Sequence, residues 1–415
     1  MKQFIYKYST LPIYIQLIPF LCLYICICLF FSKIYLIGDE GHYLKLSENI
    51  TKGFFSPPYP NIDLLKGPGY PLFLAPFKMF NFSTTFLKLI NALLIYISLI
   101  INYKSFRIYA GNKISLVFTY SLALYLPILE SLTYMLTECI TWLVISAISN
   151  LLIRAIRSTH ISLKTIFAAS ILISYLSMIK PIFGYVIIII LFASIILYLF
   201  NKNKESLKRV LLIFFSSFIL CLPYLLYTHS LTNKIFFWST SGNWNFYTMT
   251  TPYPDEFGDW KNLNTLYHNP NHRKFVVSLK SKNQIEKNEI FKEKAIENIK
   301  NHPTKYIYNW LCNISRMLFS FPYSHSTQTI TSLWTIIPNM FALVLLFFSI
   351  ISLMWFKIRI DFEIKLIILF LLLYLFGSSL VSAYSRMFYI TMPILAIIII
   401  YCFSKLKIEK RDLNI

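Results

Sequence analysis

Three long apolar runs, Leu11–Ile37, Ile182–Phe200 and Leu333–Trp355, decide what this chain can fold into. Each comes close to the roughly 20 apolar residues that carry a helix through a bilayer. Inside hydrocarbon a backbone must satisfy its own N–H and C=O groups, so the runs read as helices and the chain as an all-α polytopic membrane protein. Only 14% of the 415 residues are charged and 56% are hydrophobic, too little charge to solvate the surface of a soluble domain. The same reading along the chain gives about ten spans. They fall at 11–37, 84–102, 114–130, 136–156, 164–180, 182–200, 209–229, 333–355, 365–383 and 387–404.

The net charge of +21 does not point to nucleic acid, because no dense basic tract with interleaved aromatics lies outside the apolar segments. Instead the cations flank helices. Lys104, Arg107 and Lys113 lie on one set of short connections, with Arg154, Arg157 and Lys164, with Lys202, Lys204, Lys208 and Arg209, and with Lys357, Arg359 and Lys365. The alternate connections carry only Lys180 and Arg386. By the positive-inside rule, both termini are cytoplasmic, including the end that bears Lys2 and Lys7. Two longer segments then face outward, 38–83 and 230–332. The chain divides into a seven-helix module over 1–229, a soluble periplasmic cap over 230–332, and a three-helix module with a cytoplasmic tail over 333–415. Within the cap, Ile290, Phe291, Ala295, Ile296 and Ile299 recur at helical spacing, and Pro303 opens a second helix. The seven cysteines form no CxxC or Cys/His metal pattern.

Ionisable groups next to apolar segments are costly, so their placement is informative. Here they gather at the outer ends: Asp39 and Glu40 after the first span, Glu130, Glu138, Lys180 and Arg386. Transport would favour charge near the midplane instead. Gly38-Asp-Glu-Gly-His-Tyr43 offers a general base beside a second carboxylate, with His42 as a possible metal ligand; an ordinary polar helix boundary is the simpler reading. Lys66-Gly-Pro-Gly-Tyr-Pro71 is a tight turn leading into Leu72–Phe80, a stretch expected to lie along the interface. There Lys66 suits a lipid phosphate, or simply snorkels. Arg386 offers a planar fork and Lys180 a point charge to the same kind of anion. Trp238-Ser-Thr-Ser-Gly-Asn-Trp-Asn-Phe-Tyr247 mixes rings, amides and hydroxyls, which suits either a sugar or an aromatic belt.

Taken in order, these motifs resemble the integral-membrane glycosyltransferases that use polyprenyl-phosphate sugars, the group containing protein O-mannosyltransferases and lipid A aminoarabinose transferases. The matching pieces are Asp39-Glu40-x-x-Tyr43, Lys66-Gly-Pro-Gly-Tyr-Pro-Leu-Phe73, Thr137-Glu138, Lys180-Pro181, Leu222-Pro-Tyr224, the Trp238–Tyr247 segment and Tyr384-Ser-Arg-Met-Phe-Tyr-Ile-Thr-Met-Pro393. The resemblance implies a GT-C-like fold and an active site on the outer face of a bacterial cytoplasmic membrane. It implies catalytic roles for Asp39 and Glu40, with Asp39 as base, and donor-phosphate contacts from Lys66, Lys180 and Arg386. Tyr43, Tyr70, Glu138, Asn243 and Tyr247 are the implied substrate contacts. Leu65 stands where the aminoarabinose transferases carry an acid, which leaves Glu40, Glu130 and Glu138 open as the second one.

The implied partners are a polyprenyl-phosphate-linked sugar, membrane lipids and a glycan, lipid or protein acceptor, with no nucleic acid. No cofactor is required by the pattern, and a divalent metal is left open. Two other functions fit the same helix count: a polymerase or ligase of lipid-linked glycans, and a permease or lipid flippase without catalysis.

Overall fold

A computed structural model describes residues 11–160, 162–200 and 205–412, with side chains to residue 407. Lys2, Lys7, Lys202 and Lys204 lie outside the described residues, and only the backbone of Lys410 and Arg411 is described. The described residues form helices and no strand. In order, the membrane part begins with α1 (Ile18–Phe31), α2 (Glu40–Thr51), α3 (Gly69–Met79), α4 (Thr84–Phe106), α5 (Asn112–Ala123) and α6 (Leu126–Ser131). It continues with α7 (Glu138–Arg157), α8 (Leu163–Ile179), α9 (Ile182–Phe200) and α10 (Glu205–Thr232). The cap holds α11 (Ser241–Met249), α12 (Leu263–His268), α13 (Pro270–Ser278), α14 (Gln284–Asn301) and α15 (Pro303–Phe319). The chain then returns through α16 (Leu333–Trp355), α17 (Phe362–Ser379), α18 (Ser385–Tyr389) and α19 (Met392–Asp412).

Among the described residues six helices are long and apolar enough to cross a bilayer: α4, α7, α9, α10, α16 with its leading turn, and α17. α1 and α8 are apolar but shorter. This is a multi-pass membrane protein, with spans that are less uniform than the sequence suggests. The expected 114–130 span is broken between α5 and α6, where Pro127 sits in the first turn of α6 and cannot donate a backbone bond. The expected 387–404 span is α19, preceded by the separate short helix α18. The stretch expected along the interface is α3, and its buried side chains Tyr70, Leu74 and Ala75 pack inward beside α2.

Small polar residues join the helices where lipid offers no hydrophobic drive between them. Ser98 on α4 shares a 2.8 Å hydrogen bond with Ser146 on α7, and the Asn102 amide donates to both hydroxyls. One turn on, Asn150 donates to Ser105. At one end of the bundle Arg157 meets Glu363 at 3.4 Å and Lys405 meets Asp361 at 3.1 Å. The opposite end gathers the start of α2 and α7, the end of α8 and α17, and α18.

The cap lies over that opposite end and has its own small core of Tyr247, Leu266, Val276, Leu279, Phe291 and Ala295. The expected helix near 288–299 is α14, started by a capping box between Asn283 and Glu286, and α15 begins at Pro303 as expected. α15 anchors the cap to the bundle. Its buried Asn313 donates to the carbonyls of Ser379 and Val381 and accepts from the N–H of Ala383. Arg316, fully buried, donates to the carbonyl of Ala383 and to the Asn313 side chain. These bonds fix the extended segment that leads into α18.

Candidate functional site

Gly38 carries φ +58°, a conformation that favours glycine, and turns the chain into α2. Asp39 follows at the start of that helix but makes no cap with its side chain. Its Oδ2 instead accepts from Lys66 Nζ at 2.7 Å and lies 3.8 Å from Arg386 Nη2. Burial presses the Asp39 carboxyl upward, but the Lys66 ammonium and then the Arg386 guanidinium outweigh it, holding the pKa below the ordinary range.

The two glycines beside Lys66 are there for packing as much as for turning. A Cβ on Gly67 would stand 2.1 Å from the carbonyl oxygen of Met178, and one on Gly69 would stand 2.6 Å from the nitrogen of Ile179. The loop is pressed against the last turn of α8, immediately before Lys180. Tyr175 of α8 adds a 2.9 Å bond to the carbonyl of Gly69. Lys66 and Lys180 are thereby brought to one site from distant parts of the chain.

Two cavities meet at Asp39, Lys66 and Arg386, which line both. The first, about 560 Å³, runs between α9 and α17 and is walled by Ile182, Tyr185, Ile189 and Phe376 as well as Lys180. Tyr185 and Phe376 are more than half exposed, at 53% and 58%, on helices long and apolar enough to cross a bilayer, so this groove opens toward lipid. The second, about 470 Å³, lies beneath the cap and is lined by Glu130, Tyr134, Trp244, Asn245, Trp260 and Tyr384 among others. Arg386 spans the junction, its Nε buried without a hydrogen-bond partner, and its guanidinium lies 5.5 Å from the Tyr384 ring centre.

Of the residues singled out from sequence, Asp39, Tyr43, Lys66, Lys180, Asn243 and Arg386 line the apolar groove or its mouth. Four others lie elsewhere. Glu40 faces away from both cavities: fully buried, its carboxylate accepts from the backbone N–H groups of Ile37 at 2.6 Å and Met135 at 2.7 Å, with Lys88 at 3.8 Å. That geometry makes it a brace between the loop after α1 and the loop before α7. Tyr70 is packed edge-on against Tyr43 with ring centres 5.0 Å apart and lines neither cavity. Glu138 is buried behind Lys180, 3.4 Å from its Nζ, and orients that cation. Tyr247 belongs to the core of the cap, where its hydroxyl and His272 Nδ1 lie 2.7 Å apart.

The aromatic segment divides similarly. Trp238 is 2% exposed and lies on the helix face left open by Gly184, where a Cβ would stand 2.2 Å from its ring; Trp244 reaches the second cavity. Sequence reading missed Trp260, which stacks beside Trp244 with centres 6.4 Å apart and planes 21° apart. Only the fold shows that a lone tryptophan in a loop meets another 16 residues earlier. His42 pairs with Asp63 at 3.1 Å, on the far side of α2 from Glu40's partners. Among the described residues no three of His, Cys, Asp and Glu come together.

No family model and no curated protein matches the sequence. Among solved structures, the oligosaccharyltransferase AglB of Archaeoglobus fulgidus, in complex with an inhibitory peptide and a dolichol-phosphate, aligns with 96% of this chain at 11% identity and a TM-score of 0.50. The same archaeal enzyme tethered to an acceptor peptide aligns with 96% at 13% identity and a TM-score of 0.53. This chain spans about half the length of those proteins, 50% in each case. ArnT of Cupriavidus metallidurans, bound to undecaprenyl phosphate, aligns over 96% of this chain and 79% of its own at 12% identity, with a TM-score of 0.43. The likeness to the oligosaccharyltransferase is one of fold: this is the GT-C architecture.

Proposed function

We propose that the chain is a glycosyltransferase that moves a sugar from a polyprenyl-phosphate donor to a hydroxyl acceptor on the outer face of a bacterial cytoplasmic membrane. The observation that carries this reading is Asp39 held between Lys66 and Arg386, on the wall shared by a lipid-facing groove and a second cavity under the cap. An isoprenoid tail suits the groove between α9 and α17. Its phosphate then meets Lys66, Lys180 and the unpartnered Nε of Arg386, three cations where negative charge grows as the phosphate leaves. The dolichol-phosphate held by a protein of the same fold supports this class of donor.

In the proposed step the acceptor oxygen attacks the anomeric carbon, the bond from that carbon to the phosphate oxygen breaks, and Asp39 takes the acceptor's proton. The polyprenyl phosphate departs as an anion and needs no protonation. Glycan, lipid and protein acceptors all carry the required hydroxyl. The basic end of the bundle, with Arg157, Arg209 and Lys405, then faces the cytoplasm, and so do both termini.

Purified protein given a panel of polyprenyl-phosphate sugars and crude envelope acceptor tests this directly. Release of free polyprenyl phosphate by the wild type, abolished in Asp39→Asn, is the expected result. A wild type that releases none from any donor overturns the reading in favour of a polymerase or ligase of lipid-linked glycans, a permease or a flippase, and release that persists in Asp39→Asn overturns the base.

A further inference from the structure

The second cavity contains more chemistry than a path for an acceptor requires. Trp244 and Trp260 present nearly parallel rings, and Tyr384 stands edge-on to Trp260 at 6.4 Å. The shelf is held from behind: Trp244 donates through Nε1 to the carbonyl of Lys261 at 2.9 Å and stacks on Phe291 at 5.7 Å. Polar groups surround it. Among the described residues the carboxylate of Glu130, the side-chain amide of Asn245, the hydroxyls of Tyr134 and Tyr384 and Nε1 of Trp260 have no hydrogen-bond partner, although all five residues line this cavity.

The carboxylates differ sharply in this respect. Asp39 is neutralised by Lys66, Glu138 by Lys180, and Glu40 is engaged by backbone amides. Glu130 alone among these four is exposed and unpaired, and it lines the same cavity as the aromatic shelf. A carboxylate accepts two hydrogen bonds from vicinal hydroxyls, and an aromatic face packs against the C–H side of a sugar ring. A cavity of about 470 Å³ falls within the roughly 300–1,000 Å³ of small-molecule sites.

We infer that this cavity is a pyranose-binding subsite in which Trp244 and Trp260 stack on the ring and Glu130 holds its hydroxyls. This rests on the transferase reading, in which two molecules supply such a ring: the donor, whose sugar follows the phosphate, and a glycan acceptor. Glu130 makes the subsite selective for rings with adjacent free hydroxyls on one edge.

Binding alone, without turnover, tests it on the full chain in detergent. The probes are undecaprenyl phosphate, undecaprenyl-phosphate hexoses, and oligosaccharides released from bacterial envelope, compared in wild type, Trp260→Ala, Trp260→Phe, Glu130→Gln and Lys66→Ala. Undecaprenyl phosphate should bind all the Trp260 and Glu130 variants as it binds wild type, which also shows that they are folded. If the hexose adds affinity in wild type and Trp260→Ala removes about tenfold or more of it, the ring bound is the donor's. If oligosaccharide binding beside saturating undecaprenyl phosphate is what falls about tenfold in Trp260→Ala and Glu130→Gln, the ring bound is the acceptor's. Trp260→Phe restores either effect. Equal sugar binding in wild type, Trp260→Ala and Glu130→Gln, or no sugar binding by wild type, overturns the subsite. Undecaprenyl phosphate binding that survives Lys66→Ala overturns the donor site instead, and leaves the Trp260 comparison to decide the subsite separately.

Discussion

Lys66 Nζ lies 2.7 Å from Asp39 Oδ2, a contact between residues 27 positions apart that closes the junction of the two cavities. A donor phosphate and the Asp39 carboxylate therefore compete for the same cation. Asp39→Asn should lower kcat by orders of magnitude while polyprenyl phosphate binds at least as tightly as before, because Lys66 and Arg386 no longer have a carboxylate to leave. Lys66→Ala should do the reverse, weakening binding roughly tenfold to a hundredfold through loss of a charge-assisted contact. Titration of both variants with undecaprenyl phosphate separates the two effects; weaker binding in Asp39→Asn would contradict the competition.

The same competition fixes a pH dependence. In the free protein Asp39 titrates below its ordinary range, so its contribution to folding is complete above the unfolded value and is lost as the pH falls through the lower, folded one. Once a phosphate draws Lys66 and Arg386 away, burial is left to act on the carboxyl, and its pKa rises. The acid limb of kcat, which reports the loaded enzyme, should then lie at higher pH than that of kcat/KM, which reports the free one. Coincident limbs would mean that the ion pair survives donor binding.

Glycine at 67 sets the reach of Lys66. An added Cβ would overlap the Met178 carbonyl, so Gly67→Ala should push the loop off α8 and cost roughly 1–3 kcal/mol of stability. Donor binding should fall with it, since Lys66 and Lys180 would no longer converge. Gly111→Ala, whose Cβ meets nothing within 4 Å, changes only a helix N-cap far from the loop and should leave donor binding unchanged.

How much of this was legible in the sequence depended on the range of the interaction. Apolar runs and flanking cations depend on local composition, and they yielded an all-α membrane fold. That Asp39, Lys66 and Arg386 sit at one end of the bundle followed the charge pattern at the helix ends, but their pairing is a tertiary contact that the pattern did not contain. Glu40 and Asp39 are indistinguishable in sequence, however, because adjacent residues at a helix start point in different directions, and only the partners of each decide which one meets the cavity. Tyr247 lies in a motif otherwise near the site, yet the helical period of α11 turns it into the cap's core while Trp244 faces the cavity. Trp260 carried no signal at all, since its role depends on a contact between a loop and α11.

Glu256 offers the most direct test of the cap as a device for holding that tryptophan. Its carboxylate, 2% exposed, accepts from Thr251 at 2.5 Å and meets Lys261 at 2.7 Å and His272 at 2.9 Å. Burial presses its pKa upward, but His272 first and then Lys261 outweigh this and drive it far below the ordinary carboxylate range. The stability it provides is present above the unfolded value and is lost only as the pH falls well below it. Glu256→Gln would leave the buried Lys261 ammonium without its counterion, a loss of roughly 3–5 kcal/mol for a pair of this kind. Lys261 follows Trp260 and its carbonyl anchors Trp244, so the aromatic shelf should loosen with it. Hydrogen exchange in Glu256→Gln should rise across 241–301 while the helices beneath stay protected. Unchanged exchange in the cap would show that its small apolar core, rather than this ion cluster, keeps Trp260 in place.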